Sequence, residues 1–188
     1  MSSARRERSG RGRSWRLWLA LACCVPLLLA GGKDPGVLIE IDLEDFRVTT
    51  RDLRTGKDGP TLPIVIGSPS HPTPPGRYRA YKVIRNPGWK PGAVARSFGA
   101  TPEPPSIHGP MGVGKLPFAE NGEIALHGAA DPLLLGKPAS LGCARATDAD
   151  FLRLVSWLEE VRVLRGKPRD VKGELHQSFR RPARVRVR

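Results

Sequence analysis

Cysteine is nearly absent from this chain. Of three in 188 residues, Cys23 and Cys24 fall inside an N-terminal apolar run, and Cys143 stands alone in everything that follows. A disulfide framework of the kind that staples small exported domains is excluded beyond that run, because one thiol cannot make an intramolecular bridge. Long apolar stretches are missing too. The longest is Leu17 to Ala30, short of the roughly 20 residues that a spanning helix needs. No internal repeat is visible, and the length and ordinary apolar content, 39%, fit one folded domain.

Net charge is also lacking where a polyanion-binding enzyme would need it. The chain carries +13 overall, yet residues 17–161 hold equal numbers of basic and acidic side chains. The excess sits at the two ends: six Arg against one Glu in residues 1–16, and ten Lys/Arg against Asp170 and Glu174 in residues 162–188. Specific nucleic-acid binding is therefore not expected of the central part.

At the N-terminus, Arg5 to Arg16 precede the apolar run, which leaves through Ala30-Gly31-Gly32 into polar Lys33-Asp34. That order is the one of a secretory signal over residues 1–32. The alternative is an uncleaved membrane anchor over residues 15–32, with the Arg-rich end in the cytoplasm. Ala20-Leu21-Ala22 before Cys23 makes a poor lipobox, so lipidation is the weakest reading. Either leading reading sends residues 33–188 to the periplasm or cell envelope.

Val37 to Leu43 and Phe46 to Arg51 read as a strand pair, Thr61 to Ile66 as a third strand, and Gly76 to Ile84 alternates apolar and polar over nine residues as a fourth. Asn86 to Asn121 is rich in Gly and Pro, which predicts short strands and functional loops. Ile124 to His127 is a short strand. One helix is predicted over Asp148–Glu160, capped by Thr147, with Phe151, Leu154, Val155 and Leu158 on one face. Val161-Arg162-Val163-Leu164 reads as the closing strand, and residues 166–188 as a basic, flexible tail, a solubilising or processed extension. Many strands with one main helix predict a mostly β domain over residues 33–165.

Chemistry concentrates between Ile124 and Arg145. His127-Gly128 ends a strand, and sixteen residues later Ser140-Leu141-Gly142-Cys143-Ala144-Arg145 carries the lone thiol on a Gly turn. A thiol with an upstream imidazole can be a nucleophile and its general base. The helix opening after Cys143 is expected to lower the thiol pKa through its dipole, and the N–H groups of Gly142, Cys143 and Ala144 to offer an oxyanion hole. A backbone carbonyl in residues 140–142 is the candidate for orienting the second nitrogen of His127. The alternative is a buried structural cysteine.

These segments resemble the L,D-transpeptidase (YkuD-type) catalytic domain. The resemblance rests on Leu126-His127-Gly128, Gly142-Cys143-Ala144-Arg145 and Pro72-Thr73-Pro74-Pro75-Gly76-Arg77-Tyr78. It extends over residues 37–164. It implies a mixed β-sandwich or barrel with the helix after the nucleophile. It also implies Cys143 as nucleophile, His127 as general base and acid, and support from Ser140, Gly142 and Arg145. Peptidoglycan stem peptides are the implied substrate, with roles in peptidoglycan biosynthesis, wall organisation and cell shape. Neither a metal nor an organic cofactor is required. One position departs from the family pattern: Leu141 stands where His is usual.

Three residues are weaker candidates for substrate contact: Tyr78, His108 and Gly128. Ser140 either bonds near His127 or caps a turn. The leading expectation is a monomeric transpeptidase making 3→3 cross-links or passing the acyl group to another amine. A hydrolase on the same fold, a carboxypeptidase or endopeptidase, is the nearest rival. A non-catalytic wall-binding module is the rival from another class.

Overall fold

The computed structural model describes residues 36–188, so the signal or anchor segment expected over residues 1–32 lies outside the described residues. The first two strands, β1 (Val37–Asp42) and β2 (Arg47–Asp52), form the expected antiparallel pair. Val37, Ile39 and Ile41 face the core with no exposure while Leu38 and Glu40 stay half-buried, as period-2 alternation requires. The third expected strand splits into two short pieces, β3 (Leu62–Pro63) beside β2 and β4 (Ile66–Gly67) in a separate two-stranded sheet.

β5 (Gly76–Arg85) follows the nine-residue alternation. The Gly- and Pro-rich stretch then holds a five-residue helix, α1 (Ala93–Ser97), and β6 (Gly114–Ala119). β7 (Ile124–His127), β8 (Pro138–Ser140) and β9 (Ala144–Arg145) carry the candidate site, and α2 (Asp148–Glu160) follows. The α2 boundaries are those expected. Thr147 accepts from the Asp150 N–H, and Phe151, Leu154, Val155, Trp157 and Leu158 are buried.

The chain end is where expectation fails. Residues 166–188 are not a flexible tail: β10 (Arg169–Val171) and β11 (Glu174–Val187) form there, and β11 is the longest strand described. β11 lies between β1, which it meets in parallel, and β5, which it meets antiparallel. Its Phe179, Ala183, Val185 and Val187 join the core, alternating with exposed Arg180, Arg184 and Arg186. Burying each large apolar side chain is worth about 1.5–3 kcal/mol, enough to hold a strand whose other face carries Arg180, Arg184 and Arg186. Arginine density hid an alternation that a half-buried strand needs only on one side.

Val161-Arg162-Val163-Leu164 is correspondingly not the closing strand. Val161 caps α2, Arg162 turns through φ 57°, and only Leu164 makes an isolated bridge, to Phe179.

The main sheet runs β3-β2-β1-β11-β5-β6-β7-β9, with β10 beside β11. It is mostly β and curls as a half-barrel over α2. Residues 33–188 form one compact unit that contains the whole described core, so this part has what it needs to fold alone. The sheet ends at β7 and β9, and that edge carries the site.

Candidate functional site

β7 and β9 are parallel, with Leu126 opposite Ala144 and His127 opposite Arg145. Leu126 and Ala144 point into the core with no exposure. The period of two then puts Ala125, His127, Cys143 and Arg145 on the other face, and His127, Cys143 and Arg145 all line one cavity of about 480 Å³. The loop holding α1 covers it with Trp89, Val94 and Ala95, and Glu120 and Glu123 stand on its β6–β7 side.

His127 is fully buried. Its Nδ1 lies 2.7 Å from the Gly128 carbonyl oxygen, which can only accept, so Nδ1 carries the hydrogen and Nε2 keeps its lone pair. That Nε2 is buried with no hydrogen-bond partner. The orienting carbonyl is thus Gly128, not one from residues 140–142. Burial, and then the neighbouring Arg145 charge, push the imidazole pKa down to about 3. The ring is neutral at physiological pH.

Gly128 earns its place sterically. A Cβ there would lie 2.1 Å from Asp148 Oδ1. That carboxylate oxygen accepts from Val113 N and Ala129 N, both at 3.0 Å. Asp148 therefore ties the start of α2 to the loops on both sides of the His127 carbonyl partner. The sequence marked Asp148 only as a helix-start residue.

Cys143 is half-buried and its Sγ lies 3.5 Å from the Glu123 carbonyl oxygen, to which the thiol donates. Burial pushes the thiol pKa up, against the opposing pull of the Ala125 amide and Arg145. The expected lowering by the helix dipole does not prevail: the first turn of α2 carries Asp148 and Asp150, and desolvation outweighs distant partial charges. The thiol and the neutral imidazole share the cavity without a hydrogen bond between them: Sγ donates to Glu123 O, and Nε2 has no hydrogen-bond partner among the described residues.

Ser140 braces the turn. Its Oγ donates to Cys143 O at 2.6 Å and accepts from Gly142 N at 3.2 Å. The Gly142 amide is therefore engaged by Ser140 rather than open as an oxyanion donor. Gly142 itself needs φ +112°, and a Cβ would press on Ile124 Cδ1 at 2.9 Å. Leu141, 40% exposed, sits at the cavity rim. Arg145 is fixed through its backbone, which exchanges two 2.8 Å bonds with Val65, while its Nε is buried without a partner.

None of the three expected substrate contacts lines this cavity; Gly128 serves through its carbonyl to His127. The Tyr78 hydroxyl donates to Pro74 O and Pro75 O, and its ring packs 5.5 Å from Phe118. His108 is an exposed loop residue whose N–H is taken by Ser106. Neither lines the cleft. Among the described residues no group of three or more His, Cys, Asp or Glu is placed to hold a metal ion.

A curled mostly β sheet, with an imidazole at the end of β7 and a thiol just before β9 lining one cavity, defines the class. The chain belongs to the L,D-transpeptidase catalytic domain family (YkuD), whose model matches residues 36–171. Solved structures of similar fold include the Enterococcus faecium L,D-transpeptidase in a cysteine-to-serine mutant form: 21% identity, TM-score 0.53, 81% of this chain and 50% of that one. The NMR structure of the catalytic domain of the E. faecium enzyme matches at 20% identity and TM-score 0.51, covering 84% of this chain and all of that one, 100%. L,D-transpeptidase 3 from Mycobacterium tuberculosis, in complex with a faropenem-derived adduct, matches at 18% identity and TM-score 0.51, over 81% and 60%. At these identities the likeness is one of fold. The chain spans 59% and 49% of the length of two further transpeptidase structures. No curated protein sequence matches it.

Proposed function

We propose that this protein is a cysteine acyltransferase that acts on peptidoglycan tetrapeptide stems. The observation that carries the reading is the His127 ring, held by Gly128 O with a bare Nε2, in the same cavity as the Cys143 thiol. His127 Nε2 takes the Sγ proton as sulfur bonds to the carbonyl carbon of the third stem residue, the one joined to the D-Ala nitrogen. The C–N bond then breaks, His127 returns the proton to the leaving D-Ala amine, and a thioester remains on Cys143. An acceptor amine attacks the thioester, His127 takes its proton and hands it to the departing thiolate. A second stem as acceptor gives a 3→3 cross-link.

Arg145, beside both groups and carrying a buried unpartnered Nε, is placed to attract a stem carboxylate. Its charge also helps keep the imidazole neutral. Export to the envelope, by a cleaved signal or an anchor in residues 15–32, gives such a domain access to its substrate.

The test is covalent labelling. Incubated with a carbapenem, the protein is expected to gain the mass of one drug molecule, and Cys143→Ala to gain none. Labelling that persists in the Ala variant overturns the assignment of the nucleophile. Disaccharide-tetrapeptide then separates outcomes: dimers with loss of D-Ala mark transfer, shortened monomers mark hydrolysis, and no product from folded protein marks a binding module.

A further inference from the structure

A second groove, of about 600 Å³, lies where β5 and β10 flank the first half of β11. Lys82, Arg165, Lys167, Arg169 and Arg180 line it, and no acidic residue does. None of the five forms an ion pair among the described residues; Arg165 instead donates to the Phe179 and Arg180 carbonyls. The acids nearest in sequence have other partners: Asp170 Oδ1 accepts from the Gly173 N–H at 3.0 Å, and Glu174 is taken by His176 at 2.7 Å and by the Gly88 N–H at 2.8 Å. The outward sheet face continues the patch, with Arg79 opposite Arg184 and Arg77 opposite Arg186. Among the described residues, only Arg186 of these four has an acidic partner, Glu40.

Like charges held this close repel unless an anion answers them. Two more observations say which anion. Tyr81, 63% exposed, and Val171, 44% exposed, stand among the cations at the groove, the mix of aromatic, aliphatic and basic side chains that suits a bilayer interface. Gly36 also lies at this rim. A side chain at Gly36 would stand 3.9 Å from Arg181 Cβ and Pro182 O, Pro182 lines the groove, and the apolar run 17–30 lies just upstream in sequence.

We propose that this groove and the arginine face beside it form a docking surface for an anionic phospholipid bilayer. The surface is separate from the thiol cavity, so it stands or falls independently of the acyl-transfer reading. Docking would hold the domain at the membrane face of the wall and leave the β7–β9 edge clear of the lipid.

The test uses residues 33–188, free of the N-terminal apolar run. Phosphatidylcholine vesicles containing phosphatidylglycerol are expected to sediment the protein, and pure phosphatidylcholine vesicles not to. Each cation near an anionic surface is worth roughly a fivefold change in partitioning, so combined Lys167→Gln, Arg169→Gln and Arg180→Gln should cost about a hundredfold. Removing equal charge elsewhere, with Arg51→Gln, Arg54→Gln and Lys57→Gln, should cost far less. Tyr81→Trp should shift its emission to the blue on the anionic vesicles. Equal binding to both vesicle types, equal loss from the two triple variants, or binding to soluble polyphosphate without binding to vesicles would each overturn the proposal, the last in favour of a soluble polyanion.

Discussion

The β7–β9 edge and the β11 face treat charge in opposite ways. At the edge, burial suppresses it: His127 is held neutral with a pKa near 3 and the Cys143 thiol is pushed up. On the β11 face, exposed cations alternate with core residues. Neutral groups with unmet proton-transfer capacity make local chemistry, because their reactivity is released only by a substrate in contact. Exposed like charges act over the Debye length, about 8–10 Å in ordinary salt. One sheet thus carries a short-range site and a long-range one, divided by which face and which edge each strand presents.

The comparison breaks most completely if β11 is not part of the fold. Deleting residues 174–188 removes Phe179, Ala183, Val185 and Val187 from the core and leaves β1 and β5 without their shared neighbour. The truncated protein should lose its cooperative thermal transition in circular dichroism. A merely solubilising extension would leave the transition where it was.

Next in size is the chemistry at the buried edge. His127→Ala should slow carbapenem acylation by about 10²–10⁴-fold in a mass-spectrometric time course. Part of the rate should return as pH rises, since hydroxide can then make the thiolate that the imidazole no longer makes. An unchanged rate would mean that the thiol ionises without help, and that burial at this edge does not set its reactivity.

The two regions also differ in how far their residues reveal them. Helix α2 is readable residue by residue because its cap, its acidic first turn and its 3.6-residue apolar period agree. The His127-Gly128 and Gly142-Cys143 pairs stand out because few other functions need a lone thiol and a glycine together. The carbonyl that orients His127 is different. Any residue supplies a carbonyl, so nothing in the letters distinguishes Gly128 O from its neighbours. Asp148 is hidden for a related reason, since its contacts to Val113 and Ala129 lie 35 and 19 residues away along the chain. Tyr78 drew attention as an aromatic in a motif, yet packing on Phe118 and two proline carbonyls accounts for it. β11 escaped because composition outweighed pattern: ten cations in the last 27 residues read as solvated chain, although Val185-Arg186-Val187 continues the alternation of a half-buried strand.

A smaller perturbation sharpens the role of close packing at the edge. Gly128→Ala places a methyl 2.1 Å from Asp148 Oδ1, and relief requires either the α2 start or the β7 end to move. Overpacking of this kind costs about 1–3 kcal/mol. The midpoint of urea unfolding should fall accordingly, and acylation should slow as the carbonyl that pins Nδ1 shifts. The same exchange at exposed, open Gly136, where φ is +77° and nothing lies within 4 Å, should cost only local backbone strain and leave acylation unchanged.

The gentlest probe is pH, and its sign follows from burial. Unfolded His127 titrates near its ordinary 6.5, while in the fold burial and Arg145 bring it to about 3. Between those values the unfolded chain holds a proton that the folded chain does not, so acidification favours unfolding. The contribution of neutral His127 is complete above pH 6.5 and is lost as pH falls toward 3, at up to about 1.4 kcal/mol per pH unit. Asp42 and Asp52 are held below the ordinary 3.8, Asp42 chiefly by the Asp45 amide, and Asp52 by Thr55 and Arg54 despite burial that pushes it up. Their linkage begins only within the carboxylate range, which leaves pH 6.5 to about 4.5 as a window dominated by His127. Stability from urea melts should decline across that window in the parent protein and flatten in His127→Gln. Lys167→Gln with Arg169→Gln should leave the slope intact, because neither side chain lines the cavity that buries His127. A parent protein that shows no slope there would have its imidazole in contact with water, and the contrast between a silenced edge and a charged face would be gone.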